Sequence, residues 1–309
     1  MKDLHDAVAA EVGRVVVGQH DAVAALLAAA ALGGHVLLEG PPGTAKTLMA
    51  GAVARALGVD FRRVQFTPDM LPSDLTGTMT LRGGQLAFHQ GPVFTNVLLA
   101  DEINRTPPKT QSALLEAMQE SQVSVDGEPH RLPDPFLVVA TQNPIEYEGT
   151  YPLPEAQLDR FLVKVDVGYP AEAEELAMLG MQRSGVGPGR VEDIRPVASA
   201  QQLLDARASV DATRVTDEVA AYLIAIIRRT RSLPAVTLGA SPRAATHLLG
   251  AAKAAARMAG RDFVTPDDVT RMAPSVLAHR LVLTPEAELE RFRPVDAVRT
   301  AIGEVPVPR

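Results

Sequence analysis

The chain has no cysteine, no tryptophan and few aromatic side chains, which make up 4% of its 309 residues. Without cysteine there is neither a disulfide framework nor a thiolate metal site, and we expect a reducing, cytoplasmic environment. An excess of basic residues is also missing, because the formal net charge is −7 at pH 7. This charge argues against nonspecific binding of nucleic acid as the main activity.

Long apolar runs are absent as well. The longest, residues 22–32, is rich in alanine and is shorter than the roughly 20 residues that a helix needs to cross a bilayer. Residues 1–11 mix acidic and basic side chains and lack the apolar segment of a signal peptide. We therefore expect no membrane insertion, and the chain length favours two domains.

Strand-like and helix-like segments alternate along residues 1–168. Short apolar or β-branched runs predict buried strands at residues 35–39, 61–66, 97–103, 136–141 and 162–167. Helices are predicted between them, at residues 48–57, 107–121 and 155–161. Two hairpins are predicted at residues 78–90 and 123–132, the second around the turn dipeptide Asp126-Gly127. The alternation predicts a parallel sheet with helices on both faces.

Strand signals fade after residue 168. The predicted helices there are residues 172–182, 201–208, 217–231, 242–259 and 266–272, followed by a weaker helical run. Ser241-Pro242 and Thr265-Pro266 read as N-caps with proline at the first helical position. We predict an α/β P-loop core with a parallel five-stranded sheet at residues 1–168 and an all-helical domain at residues 169–309.

A phosphate-binding loop is the most specific local pattern. Residues 40–47 read Gly-Pro-Pro-Gly-Thr-Ala-Lys-Thr, between a predicted strand and a predicted helix. Free N–H groups and the positive end of the helix dipole suit such a junction to a triphosphate. Lys46 adds a charge for the β- and γ-phosphates, and the Thr47 hydroxyl is a ligand for Mg²⁺. The usual pattern has glycine before the lysine, whereas Ala45 stands here and its methyl group costs backbone freedom.

Polar side chains follow the third and fourth predicted strands. Asp101 and Glu102 end the third strand, at the edge where parallel sheets bind ligands. Asp101 can hold the Mg²⁺ hydration shell, and Glu102 can polarise the attacking water. Asn143 follows the fourth strand and can hold that water by its amide. The alternatives are a solvated loop start for the acid pair and an ordinary turn for Asn143 before proline.

Five segments in combination resemble the AAA+ ATPases, and more narrowly their MoxR branch. They are residues 40–47, 64–77, 101–109, 140–144 and 151–161, which cover most of residues 15–165. Ala45 is itself usual in this branch. The helical region resembles the family's lid domain more loosely.

The resemblance implies a role for each matching residue. Asn143 matches the polar sensor, and Arg160 matches the arginine finger that reaches the γ-phosphate in the neighbouring subunit. Arg243 matches the second sensor, which contacts phosphate in its own chain. The alternatives are a local ion pair of Arg160 with Asp159 or Glu155, and an exposed first-turn position for Arg243, which is unfavourable for a cation.

The resemblance also implies which residues contact the nucleotide. Residues 16–19 resemble the segment that packs against adenine, and the hairpins resemble insertions that project toward a central pore. Gln65 can restrain Glu102 until a partner binds, although an ordinary polar residue at a strand end explains it equally well. The expected nucleotide-binding set is Val17, Gly18, Gln19, Gly40, Pro41, Pro42, Gly43, Thr44, Ala45, Lys46, Thr47, Leu48 and Arg243.

We therefore expect a Mg²⁺-dependent ATPase that assembles as a homo-oligomeric ring, a hexamer by resemblance. The family implies chaperone-like remodelling or maturation of client proteins, with a partner that carries a von Willebrand A domain. The alternatives are a nucleic-acid motor, which would bind DNA with a steep salt dependence, and a scaffold that binds ATP without turnover.

Overall fold

The computed structural model describes residues 1–82, 85–143, 149–183 and 190–308. Its α-helices are α1 (Lys2–Val12), α2 (His20–Leu32), α3 (Lys46–Ala56), α4 (Pro72–Thr76), α5 (Pro108–Glu120), α6 (Glu155–Leu158), α7 (Glu172–Arg183), α8 (Ala200–Asp211), α9 (Asp217–Thr230), α10 (Pro242–Met258), α11 (Pro266–Leu277), α12 (Pro285–Leu289) and α13 (Pro294–Gly303). Its strands are β1 (Val36–Glu39), β2 (Phe61–Gln65), β3 (Gly77–Arg82), β4 (Gln85–Gln90), β5 (Val97–Asp101), β6 (Gln122–Val125), β7 (Glu128–Arg131), β8 (Leu137–Gln142), β9 (Val163–Asp166), β10 (Val236–Leu238) and β11 (Val282–Leu283).

The predicted five-stranded sheet is confirmed, with the strand order β2-β5-β8-β1-β9. The pairs β2–β5, β5–β8 and β1–β8 are parallel. The side chains of Leu37, Leu38, Leu98 and Leu99 are fully buried, because α2 and α3 pack against these strands. Since parallel strands share a direction, the carboxyl ends of β1, β5 and β8 meet at one edge of the sheet.

The expectation that the second strand is buried was wrong. β2 lies at an edge of the sheet, and Arg62, Arg63 and Gln65 are exposed. An edge strand has a neighbour on one side only, so it tolerates charged side chains that a central strand would exclude.

Both predicted hairpins form. β3 pairs with β4 and β6 with β7, each antiparallel. Asp126 and Gly127 adopt φ angles of 50° and 85° between β6 and β7, as a two-residue turn of this type requires. The other expected turn includes Gly83 and Gly84, which lie outside the described residues. The rings of Phe88 and His130 stack at 4.0 Å, so the two hairpins contact each other.

The C-terminal region is helical, with one short antiparallel pair that the sequence did not predict. β10 pairs with β11, and three and two residues are too few to show an alternating pattern. α11 continues past the predicted end at Met272 and contains Pro274. The glycine-rich loop expected at residues 184–190 falls almost entirely outside the described part of the chain.

Two compact units divide the described chain. The core unit consists of Leu4–Leu153 and Val165–Leu204, and the lid unit of Met1–Asp3, Pro154–Lys164 and Asp205–Arg309. This differs from the predicted division at residue 168. Residues 197–198 donate backbone N–H groups to the carbonyl oxygen of Ala56, which ties them to α3 in the core unit. In the described residues we find no helix that is both long and apolar enough to cross a membrane.

Candidate active site

The phosphate loop joins β1 to α3 in the core unit. A Cβ atom at Gly40 would lie 2.1 Å from the carbonyl oxygen of Val167, so this position has no room for a side chain. Ala45 immediately precedes α3 with a φ angle of 61°, a left-handed conformation that costs alanine more than glycine. The backbone strain at Ala45 that the sequence predicted is therefore present. The loop leads directly into α3, where the first backbone N–H groups lack helical partners.

Lys46 is folded into this loop. Its Nζ donates to the carbonyl oxygens of Gly40 and Pro41, both at 2.7 Å. Partial burial lowers the pKa of the Lys46 ammonium, and the neighbouring carboxylates of Asp101 and Glu102 oppose that change. The loop therefore encloses a cation that can exchange its carbonyl partners for phosphate oxygens.

Asp101 is buried beneath the loop at the end of β5. Its Oδ2 accepts from Thr47 Oγ1 at 3.2 Å, and its Oδ1 accepts from Thr141 Oγ1 at 2.6 Å. A carboxylate beside a hydroxyl is an oxygen donor set of the kind that Mg²⁺ prefers. The two predicted metal ligands, Thr47 and Asp101, thus lie in direct contact and fit that ion.

Glu102 follows Asp101 with an unusual backbone conformation. Its φ angle is 58°, a left-handed conformation that costs roughly 1–3 kcal/mol and is common at functional sites. Gln65 Nε2 donates to Glu102 Oε2 at 2.8 Å, which is the contact that the sequence suggested. Arg105 Nε lies 2.6 Å from the same oxygen. The carboxylate is therefore held by two side chains at the mouth of the site.

One pocket of about 400 Å³ brings these residues together. Asn143, which is 8% exposed, lines it at the end of β8. The lining residues are Pro42, Gly43, Thr44, Ala45, Lys46, Thr47, Leu48, Arg63, Asp101, Glu102, Thr141, Gln142 and Asn143. The structure thus unites the predicted lysine, threonine, acid pair and asparagine, whereas Gly40 and Pro41 are not among the lining residues.

The predicted adenine segment is not part of this pocket's lining. Gln19 Nε2 donates to the carbonyl oxygen of Gly168 at 3.3 Å. Gly18 has a φ angle of 77°, and a Cβ atom there would lie 2.3 Å from the carboxylate of Glu174. Gly18 and Gln19 therefore adjoin residues of the segment 168–174.

Arg160 lies in the lid unit, two residues after α6. Its Nε is buried without a hydrogen-bond partner. Among the described residues, neither Asp159 nor Glu155 forms an ion pair with it. The local pairing that the sequence left open is therefore not what holds this side chain.

Arg243 occupies the first turn of α10, as predicted. Ser241 caps the helix by accepting from the backbone N–H of Ala244 at 3.1 Å. Arg243 Nη1 lies 3.5 Å from Asp159 Oδ2, and this carboxylate offsets the unfavourable helix dipole. The side chain is 46% exposed.

Sequence reasoning missed Arg63, which lies on β2. Its Nε and Nη2 lie 2.9 and 2.8 Å from Asp101 Oδ2, the oxygen that also accepts from Thr47. The sequence did offer one indication of a role for Arg63. It is an arginine in a strand that was predicted to be buried, two residues before Gln65. Its partner could not be found from the sequence, because β2 and β5 are adjacent only in the folded sheet.

Comparisons with known proteins agree with this geometry. The model of the ATPase family associated with various cellular activities (AAA) matches residues 35–163, and the AAA lid domain model matches residues 228–301. The chain is 48% identical to the YeaC protein of Bacillus subtilis, over 96% of this chain and 92% of the relative. It is 44% identical to chaperone MoxR1 of Mycobacterium tuberculosis, over 97% and 81%. A solved crystal structure of a candidate ATPase from Cytophaga hutchinsonii superimposes with a TM-score of 0.91 at 41% identity, over 100% and 96% of the two chains.

Proposed function

The chain belongs to the MoxR family of AAA+ ATPases, and from that membership we propose that it is a Mg²⁺-dependent ATPase that works as a homo-oligomeric ring to remodel client proteins. We propose a hexamer as the ring. One observation carries the proposal of ATP hydrolysis: Lys46, Thr47, Asp101, Glu102 and Asn143 line a single pocket at the carboxyl ends of three parallel strands.

In this proposal the triphosphate binds at the N-terminus of α3. Backbone N–H groups of the loop donate hydrogen bonds to its oxygens, and Lys46 exchanges its loop carbonyls for the β- and γ-phosphates. Thr47 and Asp101 would hold Mg²⁺, which neutralises charge on the transferred phosphoryl group when it is bound.

Glu102 is the proposed general base. Its carboxylate is bound by Gln65 and Arg105 and not by the proposed metal ligands. It accepts a proton from water that the amide of Asn143 holds near the γ-phosphate. Gln65 and Arg105 both contact Glu102. In this proposal they hold its carboxylate away from the attacking water until a partner or client binds.

Two arginines of the lid unit complete the proposed site. Arg243 contacts phosphate in its own chain, and Arg160 reaches the γ-phosphate of the neighbouring protomer. A planar and permanently charged donor suits the charge that develops on the phosphoryl group. An arginine finger contributes roughly 10³–10⁵ in rate in comparable systems.

The proposed clients are proteins, in keeping with the chaperone MoxR1 relative. A partner with a von Willebrand A domain is part of the proposal by family likeness alone. Capture on a Glu102→Gln variant in the presence of ATP should retain such a partner together with the client, and release both when ATP is replaced by ADP. Capture that does not depend on the nucleotide would contradict a role of ATP in client handling.

The catalytic assignment is tested by Glu102→Gln. The amide cannot accept the proton from water, so phosphate release should fall at least about 100-fold, while ATP stays bound through the intact phosphate loop. Release of phosphate and retention of labelled ATP are measured on the same preparation.

Glu116→Gln is the matched control, because Glu116 is an exposed glutamate of α5 outside the pocket. It should turn over ATP at the unaltered rate. Turnover by Glu102→Gln that equals the control would exclude Glu102 as the base.

A further inference from the structure

Arg280 is a cation inside the lid unit for which the proposed chemistry has no use. Its side chain is 1% exposed, and it ends the 3-10 turn Ala278–Arg280 that follows α11. Burying a guanidinium costs several kcal/mol unless its donors and its charge are paired. The groups that it binds therefore indicate what it does.

Arg280 contacts Val276 and His247, and its other partners flank Arg160 along the chain. Arg280 Nη2 donates to the carbonyl oxygens of Asp159, at 3.3 Å, and of Phe161, at 2.5 Å. His279 Nε2 lies 3.3 Å from the same carbonyl of Phe161. The backbone is thus anchored on both sides of Arg160.

A charge pair reinforces this anchor. Arg280 Nε lies 2.9 Å from Asp159 Oδ1, and Ser241 Oγ donates to the same carboxylate at 3.2 Å. Burial lowers the pKa of the Arg280 guanidinium to about 10, although Asp159 opposes the change. Arg280 therefore stays charged at neutral pH. Its planar fork serves three acceptors of one short segment, which a lysine ammonium cannot do in the same geometry.

We propose that Arg280 is a positioning residue for the arginine finger: by holding the backbone on both sides of Arg160, it sets the direction in which that guanidinium projects toward the neighbouring protomer. The inference rests on the proposed role of Arg160 in trans. Arg160 Nε makes no hydrogen bond, and we infer that the backbone carrying the side chain sets its direction.

Rings that contain two different variant chains test whether Arg280 acts through the arginine finger of its own chain. An Arg160→Ala chain keeps its ATP site but has no finger, whereas a Lys46→Ala chain lacks phosphate binding but keeps its finger. Each alone should be inactive, and co-expression under two affinity tags should restore ATPase activity at mixed interfaces. When Arg280→Lys is added to the Lys46→Ala chain, which donates the finger, the restored rate should fall about 10- to 100-fold, because a displacement of about 1 Å can cost that much.

The same substitution in the other chain is the control. Arg280→Lys added to the Arg160→Ala chain alters the same lid but no working finger, so the restored rate should fall much less, and any loss there reports the contact of Asp159 with Arg243. Thermal unfolding of both double variants reports damage to the fold. An equal loss of ATPase activity in both placements would assign Arg280 a structural role only. An unchanged ATPase rate with Arg280→Lys in the finger-donating chain would contradict the inference. If the Arg160→Ala and Lys46→Ala chains show no ATPase activity when combined, Arg160 does not act in trans. The inference about Arg280 is then wrong as well.

Discussion

Two residues with unusual backbone conformations lie at the sheet edge that carries the site, and one buried titratable residue lies at the opposite edge. Ala45 and Glu102 have positive φ angles, and both line the pocket. His35, just before β1, is 5% exposed. Val138 donates its backbone N–H to His35 Nδ1 at 3.0 Å, and the other ring nitrogen lies 2.9 Å from the carbonyl oxygen of Met118. The accepted hydrogen bond assigns the proton to Nε2, so the ring is neutral and joins β8 to α5.

His35 makes stability depend on pH. Burial lowers the pKa of its imidazole from 6.5 to about 4. Between these values the unfolded chain binds more protons than the folded one, so stability is complete above about pH 6.5 and falls as the pH drops toward 4. The expected loss is about 3 kcal/mol, at 1.36 kcal/mol per unit. Urea unfolding at several pH values measures it.

His35→Gln isolates this contribution, because glutamine can donate and accept but does not titrate. The variant should be less stable at pH 7.5 and should lose less stability on acidification. Carboxylates and the buried His279 titrate in both proteins and cancel from the difference. Parallel pH profiles for the two proteins would show that His35 is not the responsible group.

At the scale of elements, the start of α11 has a capping motif that the sequence predicts. The contribution of that motif to stability depends on contacts that the sequence does not show. Thr265 and Asp268 form the capping box that the N-cap pattern suggested. Asp268 is 1% exposed and also accepts from both Nη atoms of Arg261 at 2.7 Å, and from Arg271 at 2.8 Å. Burial would raise the pKa of this carboxyl, but the hydrogen bonds from Arg261 and Thr265 outweigh it and hold the pKa below its ordinary value.

Asp268→Asn should therefore destabilise the protein by about 3 kcal/mol, because it leaves two guanidinium groups without their shared carboxylate. Asp267→Asn, an exposed neighbour in the same turn, should change stability by less than about 0.5 kcal/mol. Denaturant unfolding of the two variants gives the comparison. Similar values for both would mean that Asp268 acts as an ordinary surface cap.

At the scale of the whole molecule, the proposed site is complete only in an assembly. The pocket lies in the core unit, and its lining contains no residue of the lid unit. Under the proposed function Arg160 acts on the next protomer, so that each active site would be shared between two chains.

The ATPase rate per chain should consequently rise with protein concentration across the range in which the ring dissociates, and reach a plateau above it. Steady-state assays over a dilution series measure this, with sedimentation velocity at the same concentrations. For the Arg160→Ala variant the rate should stay low at every concentration. A rate per chain that is unchanged by dilution through ring dissociation would contradict a shared site.

Much of the site could be read from the sequence because it is encoded by neighbours in the chain. The loop ending in Lys46 and Thr47, the acid pair after an apolar strand and Asn143 after the next strand are local patterns. Parallel strands bring their carboxyl ends to one edge whatever the loop lengths, so these patterns predicted a common pocket. The five strands followed from short apolar or β-branched runs, and the hairpins followed from turn residues such as Asp126-Gly127.

Tertiary structure alone decided the contacts between distant segments. The position of β2 at the sheet edge allows Arg63 to reach Asp101, and α11 brings Arg280 to Asp159, 121 residues earlier in the chain. Neither pairing produces a pattern in the sequence. Each pairing depends on how helices and strands pack, and not on the residues next to it in the chain. The sequence by itself therefore determined the chemistry available at the sheet edge, and packing decided which charged side chains hold the catalytic groups in place.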